Sequence, residues 1–192
     1  YYDFCQVLGS DKPDATLVVL NSAGEAAKIA VEDMTTEGKD VRLVVPMVLR
    51  PYPEDELVEA TGGAKNIVVA ERVSQYGAGN YLANEIGASL QKVKSTSTVI
   101  SRAYGIGGLN FAPEDGMEMF ELGLAYPDVP EEQQTLRGYH GAWAGDPEYK
   151  PVQTIDALTT EETTLNAGME RVNLKTLAQM PHRIEKHSAC PG

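Results

Sequence analysis

The chain has little cysteine and no excess of positive charge, and each shortage excludes a class of protein. Among 192 residues there are two cysteines, Cys5 and Cys190, near opposite ends of the sequence. Two distant cysteines cannot form the dense disulfide framework of a small secreted protein, which favours a reducing, cytoplasmic compartment. Lysine and arginine number 16 against 28 aspartates and glutamates, so the net charge is −12. A nucleic-acid partner is not expected, because a phosphate backbone requires a basic surface.

Long apolar runs, internal repeats and a secretory signal peptide are also missing from the sequence. No segment reaches the roughly 20 apolar residues of a membrane-spanning helix, so no membrane span is expected. Hydrophobic residues nevertheless make up 42% of the chain. That fraction is ordinary for a globular protein that buries a core, and its acidic surface is explained by solubility.

Short β-prone runs alternate with helical patterns between residues 15 and 125. The predicted strands cover residues 15–20, 41–45, 66–70 and 98–101. Helices are predicted to begin at Ser22, after Pro53, at Gly77 and at Pro113. This alternation predicts an α/β fold with a mostly parallel sheet and helices on both faces.

Two local patterns make this prediction more specific. Ser22 and Glu25 have the spacing of a capping box at the start of the first helix. The second predicted strand starts at Val41 and has room to continue to Leu49, and Pro46 inside it predicts an edge position or a bulge.

From residue 126 the sequence changes character. Residues 126–151 are rich in proline, glycine and charge and show no periodicity, which predicts a linker or a wrapping arm. We therefore divide the chain into an α/β domain over residues 1–125 and an irregular, extended tail over residues 126–192. The tail contains too few apolar residues to offset its ordering entropy and is not expected to fold alone.

Two glycine clusters follow predicted strands, at the edge where open α/β sheets bind ligands. Gly77 and Gly79 precede a predicted helix, whose free amides would attract an anion such as a phosphate. The dinucleotide fingerprint fails because Leu82 occupies its third glycine position. Gly107 and Gly108 lack the Lys-Ser/Thr pair of a P-loop. All four glycines are candidates for cofactor binding, but tight turns that pack against a neighbouring domain are the favoured interpretation.

The sequence offers no catalytic constellation. The three histidines, His140, His182 and His187, all lie in the tail, so no Ser/His/Asp set can be assembled. His182, His187 and Cys190 supply three ligands at most, and a structural zinc requires four. No catalytic residue is therefore predicted in this chain.

Three motifs in order carry a resemblance to a known family: RPYP at Arg50–Pro53, ERVSQYGAGN at Glu71–Asn80 and YGIGGLNF at Tyr104–Phe111. Together they resemble the C-terminal domain of the α part of 2-oxoacid:ferredoxin oxidoreductases, which is itself similar to the C-terminal domain of transketolase. The resemblance covers about residues 1–125. Asn80 departs from it, since the family pattern has glycine there.

The end of the chain resembles the start of the thiamine diphosphate-binding β part of the same family. There a Gly-His-x-x-Cys-x-Gly-Cys stretch supplies two thiolates to a [4Fe-4S] cluster. Cys190 matches the first thiolate, and Lys186 stands where glycine is common. The resemblance implies that Cys190 is an iron–sulfur ligand in a longer, fused chain whose next residue after Gly192 is cysteine.

The resemblance also implies the activity of the whole enzyme, which is CoA-dependent oxidative decarboxylation of a 2-oxoacid with electrons passed to ferredoxin. Pyruvate is the preferred 2-oxoacid because of the YGIGG loop. The expected cofactors are thiamine diphosphate, Mg²⁺, [4Fe-4S] clusters and coenzyme A, none of them bound by this chain alone. The expected partners are other domains or subunits of the enzyme, which assembles as a homo-oligomer, and ferredoxin.

Three interpretations of this chain remain open at the level of sequence. In the first, it is a structural, subunit-docking fragment of the enzyme that is inactive by itself. In the second, it is a free-standing flavodoxin-like module that binds coenzyme A or a nucleotide at its glycine turns. In the third, it is a purely interacting subunit whose tail wraps a partner.

Overall fold

The computed structural model of the chain describes residues 3–73, 80–105, 110–129 and 134–140. The chain divides into two units, residues 1–104 with 111–138, and residues 105–110 with 139–192. The elements below belong to the first unit, apart from the last residue of the final strand. The predicted boundary at residue 125 stays a prediction.

Six strands and four helices form the described part of the chain. The strands are β1 (Cys5–Gly9), β2 (Ala15–Val19), β3 (Val41–Pro46), β4 (Asn66–Glu71), β5 (Thr98–Ala103) and β6 (Arg137–Tyr139). The helices are α1 (Ser22–Thr36), α2 (Glu54–Thr61), α3 (Tyr81–Lys92) and α4 (Pro113–Ala125).

The strands form one sheet in the order β1-β3-β2-β4-β5-β6. The four strands from β2 to β5 run parallel, with Leu17 opposite both Leu43 and Val68. β1 runs antiparallel to β3. The prediction of a mostly parallel α/β sheet is confirmed.

The sheet separates two apolar cores, because alternate residues of a strand point to opposite faces. Leu17 and Val19 of β2 pack on the face that α1 and α4 cover, and Phe120 of α4 is fully buried there. Val18 points to the other face, which α2 and α3 cover, and packs with Leu57 of α2. Helices therefore cover both faces, as predicted.

The sequence did not predict strands β1 and β6. Because β1 pairs with β3, β3 lies inside the sheet and not at its edge. Pro46 is the last residue of β3 and lies opposite Cys5 of β1. The prediction that Pro46 marks an edge strand or a bulge is wrong, since β1 covers that edge. A proline is tolerated because the strand ends at it.

One helix start and one helix cap differ from the sequence-based expectation. α3 begins at Tyr81, not at Gly77, because Asn80 is in extended conformation. Asn21, not Ser22, is the N-cap of α1, and its side chain makes no capping bond. The predicted capping box is wrong, because Ser22 is the first residue of the helix and not its N-cap. The Glu25 carboxylate accepts a hydrogen bond from Lys28 Nζ at 2.7 Å.

Polar side chains on the strands satisfy the carboxyl ends of two helices. Arg42 of β3 is buried, and its Nη1 donates to the carbonyl oxygens of Ala60 at 3.1 Å and Gly62 at 3.2 Å, at the end of α2. Asn66 of β4 donates from Nδ2 to the carbonyl oxygen of Gly123 at 2.8 Å, near the end of α4. Both side chains supply donors for carbonyls that have no partner within a helix.

A pair of glycines tests how tightly α4 packs on α1. A Cβ atom added at Gly116 of α4 would lie 2.8 Å from the Cβ of Ala30, whereas one at Gly87 of α3 would meet nothing within 4 Å. We expect Gly116→Ala to lower the free energy of unfolding by about 1–3 kcal/mol, because the two helices must separate. Gly87→Ala, the matched control, should raise it by about 0.5–1 kcal/mol, because alanine restricts the unfolded chain.

Urea unfolding followed by circular dichroism measures both effects. Equal stabilisation by the two alanines would contradict the close contact between α1 and α4.

Candidate functional site

The carboxyl ends of the parallel strands define the candidate site. β2 and β4 are neighbours in the sheet, but the helices that follow them, α1 and α3, cover opposite faces. Open α/β sheets bind ligands in the crevice outside the strand ends where such a reversal occurs. Asn21 follows β2 at this point, and Arg72 follows β4.

Glu71, the last residue of β4, is the central group of this edge. Its side chain is buried, with 3% exposed surface. Oε1 accepts a hydrogen bond from the backbone N–H of Leu82 at 2.9 Å, and Oε2 accepts one from the N–H of Ala83 at 3.1 Å. These are two of the amides at the start of α3 that have no partner within the helix. A carboxylate there also complements the positive end of the helix dipole.

Two opposing effects act on the protonation of Glu71. Burial raises the pKa of its carboxyl group, because a charge is costly away from water, and nearby Glu85 adds repulsion in the same direction. The two amide hydrogen bonds favour the charged form and oppose the shift. The effect of burial is larger, so the pKa lies above its ordinary value.

Tyr104 lies beside Glu71 at the end of β5. Its backbone N–H donates to the carbonyl oxygen of Glu71 at 3.0 Å, and its ring meets Phe111 edge-on with centroids 4.7 Å apart. Burial raises the pKa of its phenol, while the positive charge of Arg72 works against this rise. Tyr104, the first residue of the YGIGGLNF motif, is therefore a packed aromatic side chain whose phenol loses its proton less readily than that of an exposed tyrosine.

The RPYP motif forms a polar bridge to α3. Arg50 binds Glu85 through two nitrogen–oxygen contacts, Nη2–Oε1 at 2.8 Å and Nη1–Oε2 at 3.3 Å. Further along, Glu54 of α2 accepts hydrogen bonds from Ser89 at 2.8 Å and Lys92 at 2.7 Å. These contacts hold the loop before α2 and the helix itself against α3.

All the site residues predicted from sequence lie outside the described residues. They are Gly77, Gly79, Gly107, Gly108 and Cys190. Their assignments as cofactor-binding and iron–sulfur residues stay predictions. What sequence reasoning missed is the contact of Glu71 with α3. The sequence did carry one signal for this contact. Glu71 is an acidic residue at the end of a buried strand, and the helix that begins ten residues later has no acidic residue in its own first turn.

The described residues show neither a cluster of metal ligands nor a membrane-spanning helix. They contain no group of three or more histidine, cysteine, aspartate or glutamate side chains that could hold a metal ion. Within the same ranges, no helix is both long and apolar enough to cross a membrane. Cys5 does not suit metal binding, since burial raises the pKa of its thiol to about 11 and thiolate is the ligand form.

The fold and this edge define a parallel α/β domain of the kind that places ligands or neighbouring domains at its strand ends. Residues 13–116 match the family described as "Pyruvate:ferredoxin oxidoreductase core domain II". The chain belongs to this family, and the predicted membership of the 2-oxoacid:ferredoxin oxidoreductases is confirmed.

Two curated relatives agree with the family. The chain is 27% identical over 135 residues to pyruvate synthase subunit PorA of Thermotoga maritima, covering 70% of this chain and 34% of the relative. It is 25% identical over 105 residues to subunit PorA of Methanocaldococcus jannaschii, covering 55% of this chain and 26% of the relative. The chain thus spans about a third or less of the length of these relatives.

Two solved structures overlap the chain. One is 2-oxoglutarate:ferredoxin oxidoreductase from Magnetococcus marinus, with 19% identity, a TM-score of 0.49, and coverage of 65% of this chain and 20% of that one. The other is a split-gene transketolase, an inactive β4 tetramer, with 21% identity, a TM-score of 0.49, and coverage of 63% and 42%. Neither superposition is close enough to carry an argument about this chain.

The raised pKa of Cys5 predicts that its thiol is alkylated slowly. In a Cys190→Ser variant, Cys5 is the remaining cysteine. With a pKa of about 11, little of this thiol is ionised at pH 8. We expect iodoacetamide to alkylate the folded chain on the order of ten- to a hundredfold more slowly than the urea-unfolded chain, whose thiol has an ordinary pKa near 8.5.

Mass spectrometry at timed intervals gives both rates. The rate for the folded chain should keep rising up to about pH 11. Equal rates at pH 8 would contradict the burial of this thiol.

Proposed function

We propose that this chain is a subunit-docking domain of a 2-oxoacid:ferredoxin oxidoreductase that acts on pyruvate. The observation that carries the proposal is the family match over residues 13–116, which spans the strands from β2 to β5 and the helices between them. Both PorA relatives are described as subunits of pyruvate synthase, which supports pyruvate as the substrate and other subunits as partners.

In the proposed enzyme, thiamine diphosphate with Mg²⁺ supplies the chemistry that cleaves the 2-oxoacid, and the cofactor does this work while protein groups position it. [4Fe-4S] clusters, one of them ligated by Cys190, carry electrons to ferredoxin, and coenzyme A accepts the acyl group. The described residues of this chain contribute a rigid platform. Their buried polar groups, Arg42, Asn66 and Glu71, hold helix ends in place.

An exposed apolar pair at one corner of the sheet supports the docking role. Phe4 and Met47 expose 41% and 57% of their surface. The N–H of Met47 donates to the carbonyl oxygen of Phe4 at 2.8 Å, so the two residues lie side by side at neighbouring strand ends. Clustered apolar side chains on a surface are typical of protein–protein contacts.

The alternative function is a free-standing module that binds coenzyme A or a nucleotide. Glu71 counts against it, because this carboxylate already holds the Leu82 and Ala83 amides that would bind a phosphate at α3. Calorimetric titration of the 192-residue chain with coenzyme A separates the two functions. Saturable heat would favour the binding module, and its absence is the expected result.

The proposed function is tested by producing the chain with the other subunits of its enzyme and replacing Met47 with aspartate. The unsubstituted assembly should reduce a viologen dye in the absence of oxygen when pyruvate and coenzyme A are both supplied. Met47→Asp should weaken assembly about tenfold or more, because a carboxylate without a partner is costly in an interface. Size-exclusion chromatography with light scattering, together with the dye assay, measures both effects.

Ile29→Asp is the matched control, since Ile29 is also exposed, at 51%, but lies on α1. It should leave assembly and dye reduction unchanged. Activity with 2-oxoglutarate in place of pyruvate would correct the substrate. No activity with either acid, in an assembly of the expected mass, would overturn the proposed function.

A further inference from the structure

The two edges of the sheet differ in the strand that forms them. β6, at one edge, has three residues, and the first of them is the charged Arg137. β1, at the other edge, has five residues, Cys5–Gly9, and contains neither proline nor a charged side chain. Short strands, prolines and charges usually protect a sheet edge against pairing with another chain. Among the described strands, β1 therefore forms the longer and less protected edge.

The pairing of β1 with β3 fixes which of its backbone groups face outward. Phe4, which precedes β1, accepts a hydrogen bond from the N–H of Met47 at 2.8 Å. Alternate residues of an antiparallel strand bond to the same neighbour, so the even-numbered residues of β1 face β3 as Phe4 does. The N–H and C=O groups of Cys5 and Val7 therefore point away from β3, toward the side where the described residues provide no further strand.

The side chains beside this edge are partly apolar. Val7, in the middle of β1, exposes 49% of its surface. Phe4 and Met47, the exposed pair that supports the docking role, continue this surface at the start of the strand. A segment that adds to a sheet edge gains main-chain hydrogen bonds from the edge and specificity from contacts with its side chains. The edge at β1 offers both kinds of contact.

The charges around the edge decide which kind of segment it accepts. Asp3 and Asp11 are exposed on either side of β1. Glu56 of α2 is close enough to β1 for its charge to raise the pKa of the Cys5 thiol, and Lys12 offsets part of this negative charge. A second copy of the chain would bring the same acidic ends and a net charge of −12, which disfavours it. A segment with basic ends is complementary to this edge.

We propose that β1 is the edge to which a segment of another subunit adds as a strand, with apolar residues at its centre and lysine or arginine at its ends. The inference rests on the proposed function, since it names the kind of segment that the docking domain binds. The added strand pairs with the outward backbone groups of Cys5 and Val7. Its basic ends lie beside Asp3 and Asp11.

Deuterium exchange tests this pairing in the 192-residue chain alone and in its assembly with the other subunits of the enzyme. The amides of Cys5 and Val7 should exchange on the order of tenfold or more slowly in the assembly, because a hydrogen bond protects an amide from exchange. The amides of Gln6 and Leu8, which bond to β3, are the internal control and should exchange slowly in both samples. Mass spectrometry with fragmentation that resolves single amides gives the four rates.

Two variants of Val7 separate backbone pairing from side-chain contact. Val7→Pro removes the outward N–H, whereas Val7→Thr keeps that N–H and the branched shape of the side chain. Val7→Pro should weaken assembly about tenfold or more, because a carbonyl of the added strand loses its donor. Val7→Thr should weaken it much less. Size-exclusion chromatography with light scattering measures assembly, and circular dichroism checks that both variants fold, as expected for a proline on an edge strand.

A charge reversal tests the basic ends of the added segment. Asp3→Lys should weaken assembly about threefold or more, because it places like charges opposite each other. Asp128→Lys is the matched control, since Asp128 is also an exposed aspartate outside the strands and helices. It should leave assembly unchanged.

An assembly that reduces the dye while its Val7 amide exchanges as fast as in the chain alone would overturn this inference and leave the proposed function intact. A folded Val7→Pro variant that assembles as well as Val7→Thr would also overturn it, as would equal effects of Asp3→Lys and Asp128→Lys. If Val7→Pro does not fold, the exchange rates decide in its place.

Slow exchange of the Cys5 and Val7 amides in the chain alone would overturn the inference too, because the edge would then be covered without another subunit. Light scattering would show whether a second copy or the chain's own tail covers it. If no assembly forms, the inference and the docking function fail together.

Discussion

The whole domain depends on one constraint: every helix end that meets the sheet must find partners for its backbone groups. In the four helices of the described residues, the side chain of the N-cap residue makes no capping hydrogen bond. Other side chains supply partners. Glu71 binds amides at the start of α3, while Arg42 and Asn66 bind carbonyls near the ends of α2 and α4. At the start of α4, the Asp115 carboxylate of the helix itself accepts the N–H of Ala112. Buried polar groups of this kind are costly when left without a partner, so they fix where each helix sits.

Among the described residues, polar groups at the carboxyl edge of the sheet are engaged with other parts of the protein. The switch point between β2 and β4 is where a ligand would be sought in an open α/β sheet. Here Glu71 takes the α3 amides, and Tyr104 packs against Phe111 beside it. Groups that elsewhere would hold a substrate are used to join strands to helices. The proposed role, a platform for neighbouring subunits, does not require these groups to bind a substrate.

The family motifs were recognisable in sequence, but their structural roles were not. RPYP and the acidic-Arg start of the second motif were identified as a resemblance, which says nothing about contacts. Arg50 binds Glu85, which lies 35 residues further along the chain, and Glu71 binds amides 11 and 12 residues away. Such contacts depend on how α2 and α3 pack on one face. Glu25 is a local case: it fits a capping pattern in the sequence, yet its carboxylate bonds to Lys28 within the same helix.

The sequence by itself determined the four parallel strands and the four helices, because buried parallel strands are continuously apolar and helices have a distinct period. It also determined the family, through three motifs in order. Tertiary structure alone decided the positions of β1 and β6, since β1 has no continuously buried apolar run and β6 has only three residues. It also decided that β1 covers β3, which places Pro46 at a strand end inside the sheet. Pairing between distant segments and the burial of single charges are set by the neighbours that folding brings together, and no local run of residues encodes them.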